Sequence, residues 1–201
     1  MVVVTMLLPK PLTLRPQNYR LNKITEKDCN PLPLIAHLLN TPGKAQIYTK
    51  INLQHAYHLV CIAEGDEWKT AFWTCYGLFE WLVMPFGPTN APATFQGFMN
   101  DIFSDMVDVC VVIYLDDILI YLNNIEDHHT HVWKVLLHLQ KNGLYARVPN
   151  CTFHTDTVKY LGYILPPTGW MMDPAKVQVI QNWPEPCKVK DVQSFLGLMN
   201  F

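Results

Sequence analysis

The sequence predicts an α+β fold, and three observations carry that reading. Its strand-like runs fall in pairs suited to hairpins rather than alternating one for one with helices. No Gly-rich phosphate loop follows any strand. Longer stretches of helical period stand apart from the strand pairs. Prolines at 9, 11, 16, 31, 33 and 42 make residues 1–50 an irregular entry region with one short helical run at 34–39. Residues 48–53 alternate as a strand, and 56–62 continue as a turn and a second strand or helix start. After a turn at 64–66, residues 68–72 and 78–84 predict two strands joined near Gly77, until Pro85 and Pro88 break the ladder. Pro92 suits a first helical position, and Phe95, Phe98, Met99 and Ile102 recur at helical spacing to about 103.

Residues 109–114 and 118–121 are β-rich and separated only by Leu115-Asp-Asp117, which predicts a hairpin with two aspartates at its tip. Val132, Val135, Leu136 and Leu139 mark an amphipathic helix over 128–142, stopped at Asn142-Gly143. Short strands follow at 151–154 and 160–165. Asp173-Pro174 opens another helix, prolines 184 and 186 break it, and residues 189–201 start a last one.

Composition excludes several classes. Half of the 201 residues are apolar and 16 % are charged, which is the balance of a chain with a packed core rather than a disordered one. Fifteen Lys and Arg against 17 Asp and Glu leave a formal charge of −2, so nucleic-acid binding would need a local patch. The six cysteines show no C-x-x-C pair or zinc-type spacing and read as reduced, mostly buried thiols of an intracellular protein. The apolar opening, Met1 to Leu8, lacks a basic region before it and makes a poor signal peptide. The apolar stretch 106–122 carries Asp108, Asp116 and Asp117, which argues against a membrane span.

Asp116 and Asp117 lie in a run otherwise made of Val, Ile, Leu, Tyr and Cys. Carboxylates in such surroundings need a cation, a hydrogen-bond network or a pKa shift. On spacing alone, a solvated turn and a Mg²⁺ site fit equally well, because tight turns favour Asp and paired carboxylates are hard-oxygen ligands. His128, His129 and His131 read as a solvated helix face rather than a metal cluster.

Tyr114-Leu-Asp-Asp117, between Val-Val-Ile and Ile-Leu-Ile-Tyr, resembles the Y-x-D-D box of reverse transcriptases. Met84-Pro-Phe-Gly-Pro-Thr-Asn-Ala-Pro-Ala-Thr-Phe-Gln96 resembles the M-P-F-G-L-x-N-A-P-x-x-F-Q segment of gypsy-type (Metaviridae) long-terminal-repeat retrotransposon polymerases. Leu21-Asn-Lys23 with Pro31-Leu-Pro-Leu-Ile35 is similar to their fingers region. Tyr160-Leu-Gly-Tyr163 is similar to their primer-gripping segment, and Val192-Gln-Ser-Phe-Leu-Gly197 to the start of their thumb. Order and spacing agree over nearly the whole chain.

The resemblance implies a right-hand polymerase with a palm sheet and packed helices, partial fingers over 1–50, a palm over 51–165 and a truncated thumb over 166–201. No ribonuclease H or integrase region is expected within it. It implies RNA-directed DNA synthesis on an RNA or DNA template, with primer and deoxynucleoside triphosphates. Two Mg²⁺ ions, or Mn²⁺, would sit on three carboxylates. Asp116 and Asp117 take two of those places. The third falls in Lys50-Ile-Asn-Leu53, where Asn52 stands at the metal-bridging aspartate. An amide offers one neutral oxygen and cannot bridge two cations as a carboxylate does. A degenerate copy with little or no polymerase activity is therefore expected, or else a non-catalytic module that at most binds nucleic acid.

Trp73 and Cys75 stand where relatives commonly carry basic residues, Pro88 replaces a leucine, and Tyr19-Arg-Leu-Asn22 is one residue short. These changes also weaken phosphate contacts. By the same resemblance Tyr57 is the sugar-gating ring or an ordinary buried tyrosine. Phe86 and Gly87 flank the incoming nucleotide or form a simple turn. Arg15 meets triphosphate or is a solvated surface charge. Arg20, Gln96, Tyr114, Leu161, Gly162 and Tyr163 meet template or primer, and no membrane or named protein partner is implied.

Overall fold

The protein is described by a computed structural model that covers residues 18–28, 31–43 and 45–199. Arg15 lies outside the described residues, and so does the Arg20 side chain.

A four-stranded antiparallel sheet organises the chain. It is built from β1 (Ile47–Asn52), β4 (Val111–Tyr114), β5 (Asp117–Leu122) and β6 (Thr152–Thr155), in the order β4-β5-β1-β6. β5 thus lies between β4 and β1, with Ile47 opposite Leu122 and Asn52 opposite Asp117. Alternate side chains leave opposite faces of a strand, and both faces here are covered. Ile51, Val111, Ile113, Ile118 and Ile120 meet Phe95 and Met99 of α3 (Ala91–Ile102) and Val132, Val135 and Leu139 of α4 (Ile125–Lys141). Tyr48, Val112, Leu119 and Tyr121 meet Leu38 and Leu39 of α2 (Ile35–Asn40) and Val158, Tyr160 and Leu165. Burial on both sides explains why the β4–β5 hairpin reads as nearly unbroken apolar sequence. The boundary expected at residue 50 falls inside β1, so that strand belongs wholly to the central sheet.

Two small sheets flank the first. β2 (Phe72–Thr74) and β3 (Gly77–Phe79) form a hairpin, with Gly77 at φ 130° where a side chain would be strained. β7 (Val158–Tyr160), β8 (Tyr163–Leu165) and β9 (Met171–Met172) form a three-stranded meander. α1 (Asn18–Ile24) precedes the sheets, and α5 (Pro174–Gln181) and α6 (Val189–Met199) follow them. Asn124 and Asp173 cap α4 and α5 by accepting the N–H of Glu126 and of Ala175.

Several expectations are corrected. Residues 67–70 form a 3-10 turn rather than a strand, because local bonds compete with a ladder. Gly65 N–H donates to the Glu67 carboxylate, and the Thr70 hydroxyl donates to the Glu67 carbonyl. Residues 80–84 keep only an isolated bridge, Val83 to Cys61. The strand expected over 160–165 is a hairpin turned at Leu161 and Gly162, with φ 49° and 78°. Among the five described cysteines only Cys110 is buried, while Cys61, Cys75 and Cys187 are exposed. Among the described residues no helix is long and apolar enough to cross a membrane.

His128 is the other correction. It is fully buried, and Thr49 Oγ1 lies 2.8 Å from its Nε2. It belongs to the same helical stripe as Val132, Val135 and Leu139 rather than to the solvated face. Burial, and then the neighbouring His154, His129 and His131, lower its pKa from 6.5 to about 4. The unfolded chain takes up a proton below pH 6.5 that the folded chain refuses until about pH 4. Stability is therefore intact above 6.5 and falls by up to about 1.4 kcal/mol per pH unit across that window. Denaturant titrations between pH 7 and pH 4 should show a flatter acid limb for His128→Leu than for the native chain. Parallel curves would mean that His128 is not held neutral.

Candidate active site

The β1–β5 register sets Asn52 directly across from Asp117, and the tight turn of the β4–β5 hairpin sets Asp116 beside them. Both carboxylates only accept hydrogen bonds, so the Asn52 amide must present its NH₂ to them. Nδ2 donates to Asp117 Oδ1 at 3.0 Å and to Asp116 Oδ2 at 3.4 Å. Lys50, two residues back on the same face of β1, brings Nζ to 3.4 Å from Asp117 Oδ1, with both side chains about one-fifth exposed. An ammonium and an amide thus supply the compensation that two carboxylates on an apolar hairpin require.

Backbone bonds fix the end of β1 from both sides. Leu53 N–H donates to the Asp116 carbonyl at 2.8 Å, Arg147 N–H to the Asn52 carbonyl at 2.8 Å, and Gln54 N–H to the Tyr145 carbonyl at 2.7 Å. The turn itself places Leu115 at φ 53°, an uncommon conformation for a branched side chain.

A cleft of about 470 Å³ opens here, lined among others by Asn52, His55, Tyr57, Phe86, Asp116 and Arg147. Tyr57 stacks on Phe95 with ring centroids 4.7 Å apart and lies 5.4 Å from the Phe86 ring. Burial first, and then the nearby Asp116 and Tyr114, raise the Tyr57 phenol, so the ring stays neutral. Phe86 is 62 % exposed at the mouth. Gly87 takes φ 114°, and its carbonyl accepts from Asn22 Nδ2 at 2.9 Å while Asn22 Oδ1 accepts from Thr89 N–H. α1 is tied in this way to the loop before α3.

The structure gathers Asn52, Tyr57, Phe86 and Asp116 in the cleft, with Asp117 bonded just behind. Leu161, Gly162 and Tyr163 do not line it. They form the β7–β8 turn, with Lys176 Nζ 5.5 Å from the Tyr163 ring centroid. Tyr114 is half-buried and packs on the β7–β8 side of the sheet. Tyr160 is buried there, and its phenol is pushed well above the usual range by burial and then by Asp117 and Tyr114.

Gln96 is the main correction. It is 2 % exposed and uses both amide atoms within the chain, so a template contact is closed to it.

Sequence reasoning also missed Lys50 and Arg147. Lys50 had a signal, since a strand residue two before Asn52 shares its face. Arg147 had none. It reaches the cleft because residues 145–147 are zipped to the end of β1.

As a donor set for divalent cations, the residues supply two carboxylates and a neutral amide whose NH₂ points at them. Among the described residues no group of three or more His, Cys, Asp or Glu is placed to hold a metal. The set suits one ion at most and does not fit a bridged pair.

Comparison with known proteins agrees with this architecture. A profile of the reverse transcriptase (RNA-dependent DNA polymerase) family matches residues 9–165. The Transposon Tf2-3 polyprotein of Schizosaccharomyces pombe (strain 972 / ATCC 24843) is 39 % identical over 181 residues, which are 90 % of this chain and 14 % of the polyprotein. The Tf2-7 polyprotein of the same organism is 38 % identical over the same length. The chain therefore spans about one-seventh of these relatives.

Among solved structures, the foamy viral protease-reverse transcriptase in complex with RNA/DNA hybrid superimposes with a TM-score of 0.82 at 25 % identity, covering 91 % of this chain and 25 % of that one. A form of it in complex with ds DNA gives 0.83 at 24 % identity, covering 92 % and 32 %. A sheet ending in a carboxylate pair, a profile match over most of the chain and closely related polyproteins all point one way: the chain belongs to the reverse transcriptase family.

Proposed function

We propose that the chain is the reverse transcriptase domain of a gypsy-type retroelement whose two-metal centre is disabled at Asn52. The reading rests on one observation: the Asn52 amide faces Asp117 and donates into both carboxylates. In an active relative, divalent cations on three carboxylates stabilise the charge of in-line nucleotidyl transfer. Here the third negative group is absent and an N–H dipole of the wrong sign takes its place. Loss of one such electrostatic group costs on the order of 10²–10³ in rate.

The remaining parts support a nucleotide and nucleic-acid site. Tyr57, backed by Phe95, would carry the sugar-gating ring, and Phe86 and Gly87 would border the incoming nucleotide. Arg147 supplies a cation that can meet phosphate. The template, RNA or DNA, and the primer would be met by the Leu161–Tyr163 turn, with Arg15 and Arg20 as cations for phosphate. A partial fingers region ahead of β1, a palm that takes in the whole of β1 and runs to 165, and a thumb start over 166–201 would be the parts of an intracellular protein, and the related foamy viral structures carry RNA/DNA hybrid or ds DNA.

The competing reading is a module that binds nucleic acid without chemistry. The Lys50 and Asn52 contacts favour it, because they satisfy the carboxylates without a metal.

Extension of a DNA primer on an RNA template with Mg²⁺ separates the two. Asn52→Asp should extend at least about 10²-fold faster than the native chain. Equal extension by the native chain would sink the disabled-centre reading, and no extension by either would favour the binding module. A second measurement concerns binding itself. Affinity of the native chain for an RNA/DNA hybrid should fall log-linearly with salt, because phosphate contacts release counterions. Absence of binding at about 50 mM salt, where phosphate-led binding is strong, would remove both readings.

A further inference from the structure

The paired aspartates sit on a turn at the edge of the sheet, and an edge strand has no neighbour to fix its outward backbone groups. In an antiparallel hairpin, alternate residues bond inward to the partner while those between point outward. Tyr114 pairs with Asp117 across the turn, so the Ile113 carbonyl and the Leu115 N–H face away from β5. β4 is terminal in the sheet, so among the described residues no further strand meets them.

Gln96 of α3 meets both. Its Oε1 accepts from Leu115 N–H at 2.9 Å and its Nε2 donates to the Ile113 carbonyl at 3.2 Å. Nε2 also donates to Asn100 Oδ1 at 2.9 Å, one helical turn on. A primary amide carries a carbonyl and an N–H in one plane, as a peptide group does, so this side chain completes the edge as one residue of a missing strand would. It is 2 % exposed, where an unmade bond would carry a full desolvation cost. Leu115 is also the turn residue held at φ 53°, a conformation that needs external support.

We propose that Gln96 is the positioning residue of the carboxylate turn: its amide clamps the backbone on either side of Tyr114 and so fixes where Asp116 and Asp117 point. The inference rests on reading those aspartates as the working end of the site. It assigns to Gln96 no contact with substrate.

The test uses the full chain with ¹⁵N-leucine labelling and follows hydrogen exchange of the Leu115 amide. Gln96→Met, close in volume but without either bond, should speed exchange at Leu115 about tenfold and leave Leu119 and Leu122 of β5 within about twofold. Asn100→Ala changes an exposed residue and removes only the bond that orients Nε2, and it should speed Leu115 about threefold with the fold untouched. In an Asn52→Asp background, Gln96→Met should lower kcat about tenfold and leave KM for the nucleotide within about threefold, since only the geometry of the acidic pair is disturbed.

Equal acceleration at Leu115, Leu119 and Leu122 would reduce Gln96 to a general packing role and overturn the proposal, as would a Leu115 amide unchanged in both variants. Should Gln96→Met fail to fold, Asn100→Ala decides alone. Should Asn52→Asp fail to extend primers, the proposed function falls, while Leu115 exchange still decides the role of Gln96.

Discussion

The pairing of β1 with β5 is the constraint on which the rest depends. Six consecutive residue pairs run from Ile47 opposite Leu122 to Asn52 opposite Asp117. A slip of one residue would carry Ile51 to the β7–β8 side and Tyr48 to the helical side, exchanging every buried side chain for one of the wrong shape. Packing on both faces therefore fixes the register to a single answer, and the register alone decides that residue 52 meets Asp117. The site is a consequence of how the sheet is filled, not of local preferences near the aspartates.

Within that frame the chemistry turns on the sign of one group. An aspartate at 52 would add a third negative charge to a region that already needs two compensated, and cations would be the natural remedy. An asparagine inverts this. Its NH₂ meets both carboxylates, and Lys50 meets one of them, so the pair is satisfied from within the chain. An amide at 52 thus relieves repulsion between like charges and, on the proposed reading, removes the reason for metals to gather. On the proposed reading, the gain in the resting site and the loss of chemistry come from the same two hydrogen bonds, as expected where activity requires a strained arrangement of like charge.

What was legible in the sequence followed from period and punctuation. The β4–β5 hairpin, the helix opening at Pro92 and the Asn142-Gly143 stop each carry a local signal that tertiary packing reinforces. The strand pattern of 68–72 misleads over residues 68–70 because Trp and Thr favour strands in general, whereas Glu67 and Thr70 bond locally here. The Leu161-Gly162 turn was half visible. Glycine announced one position of positive φ, but a leucine at φ 49° announces nothing. For His128 the residue type points to solvent, but its spacing to Val132, Val135 and Leu139 points to the core, and spacing is the stronger signal. Of the site, Asn52, Asp116 and Asp117 were readable as motif residues. Lys50 and Arg147 enter through pairing between segments far apart in the chain, which no local pattern encodes.

Two primary amides bracket the carboxylate turn, and they act on different parts of it. Asn52 touches the side chains and sets their charge balance, whereas Gln96 touches the backbone and sets its shape. The distinction matters because only the first is replaceable by a metal ion. A cation bound between Asp116 and Asp117 could stand in for the NH₂ of Asn52, but nothing in a bound ligand can reach the outward N–H of Leu115 from the cleft. Neither Glu nor Leu would suit position 96. A carboxylate would leave the Ile113 carbonyl without a donor, and an alkyl chain would leave both groups unpaired inside the protein. The glutamine requirement thus comes from the edge of the sheet and holds whether residue 52 is an amide or an acid. With an amide at 52 the turn still leans on Gln96, so this part of the site answers to a constraint of the sheet edge rather than of catalysis.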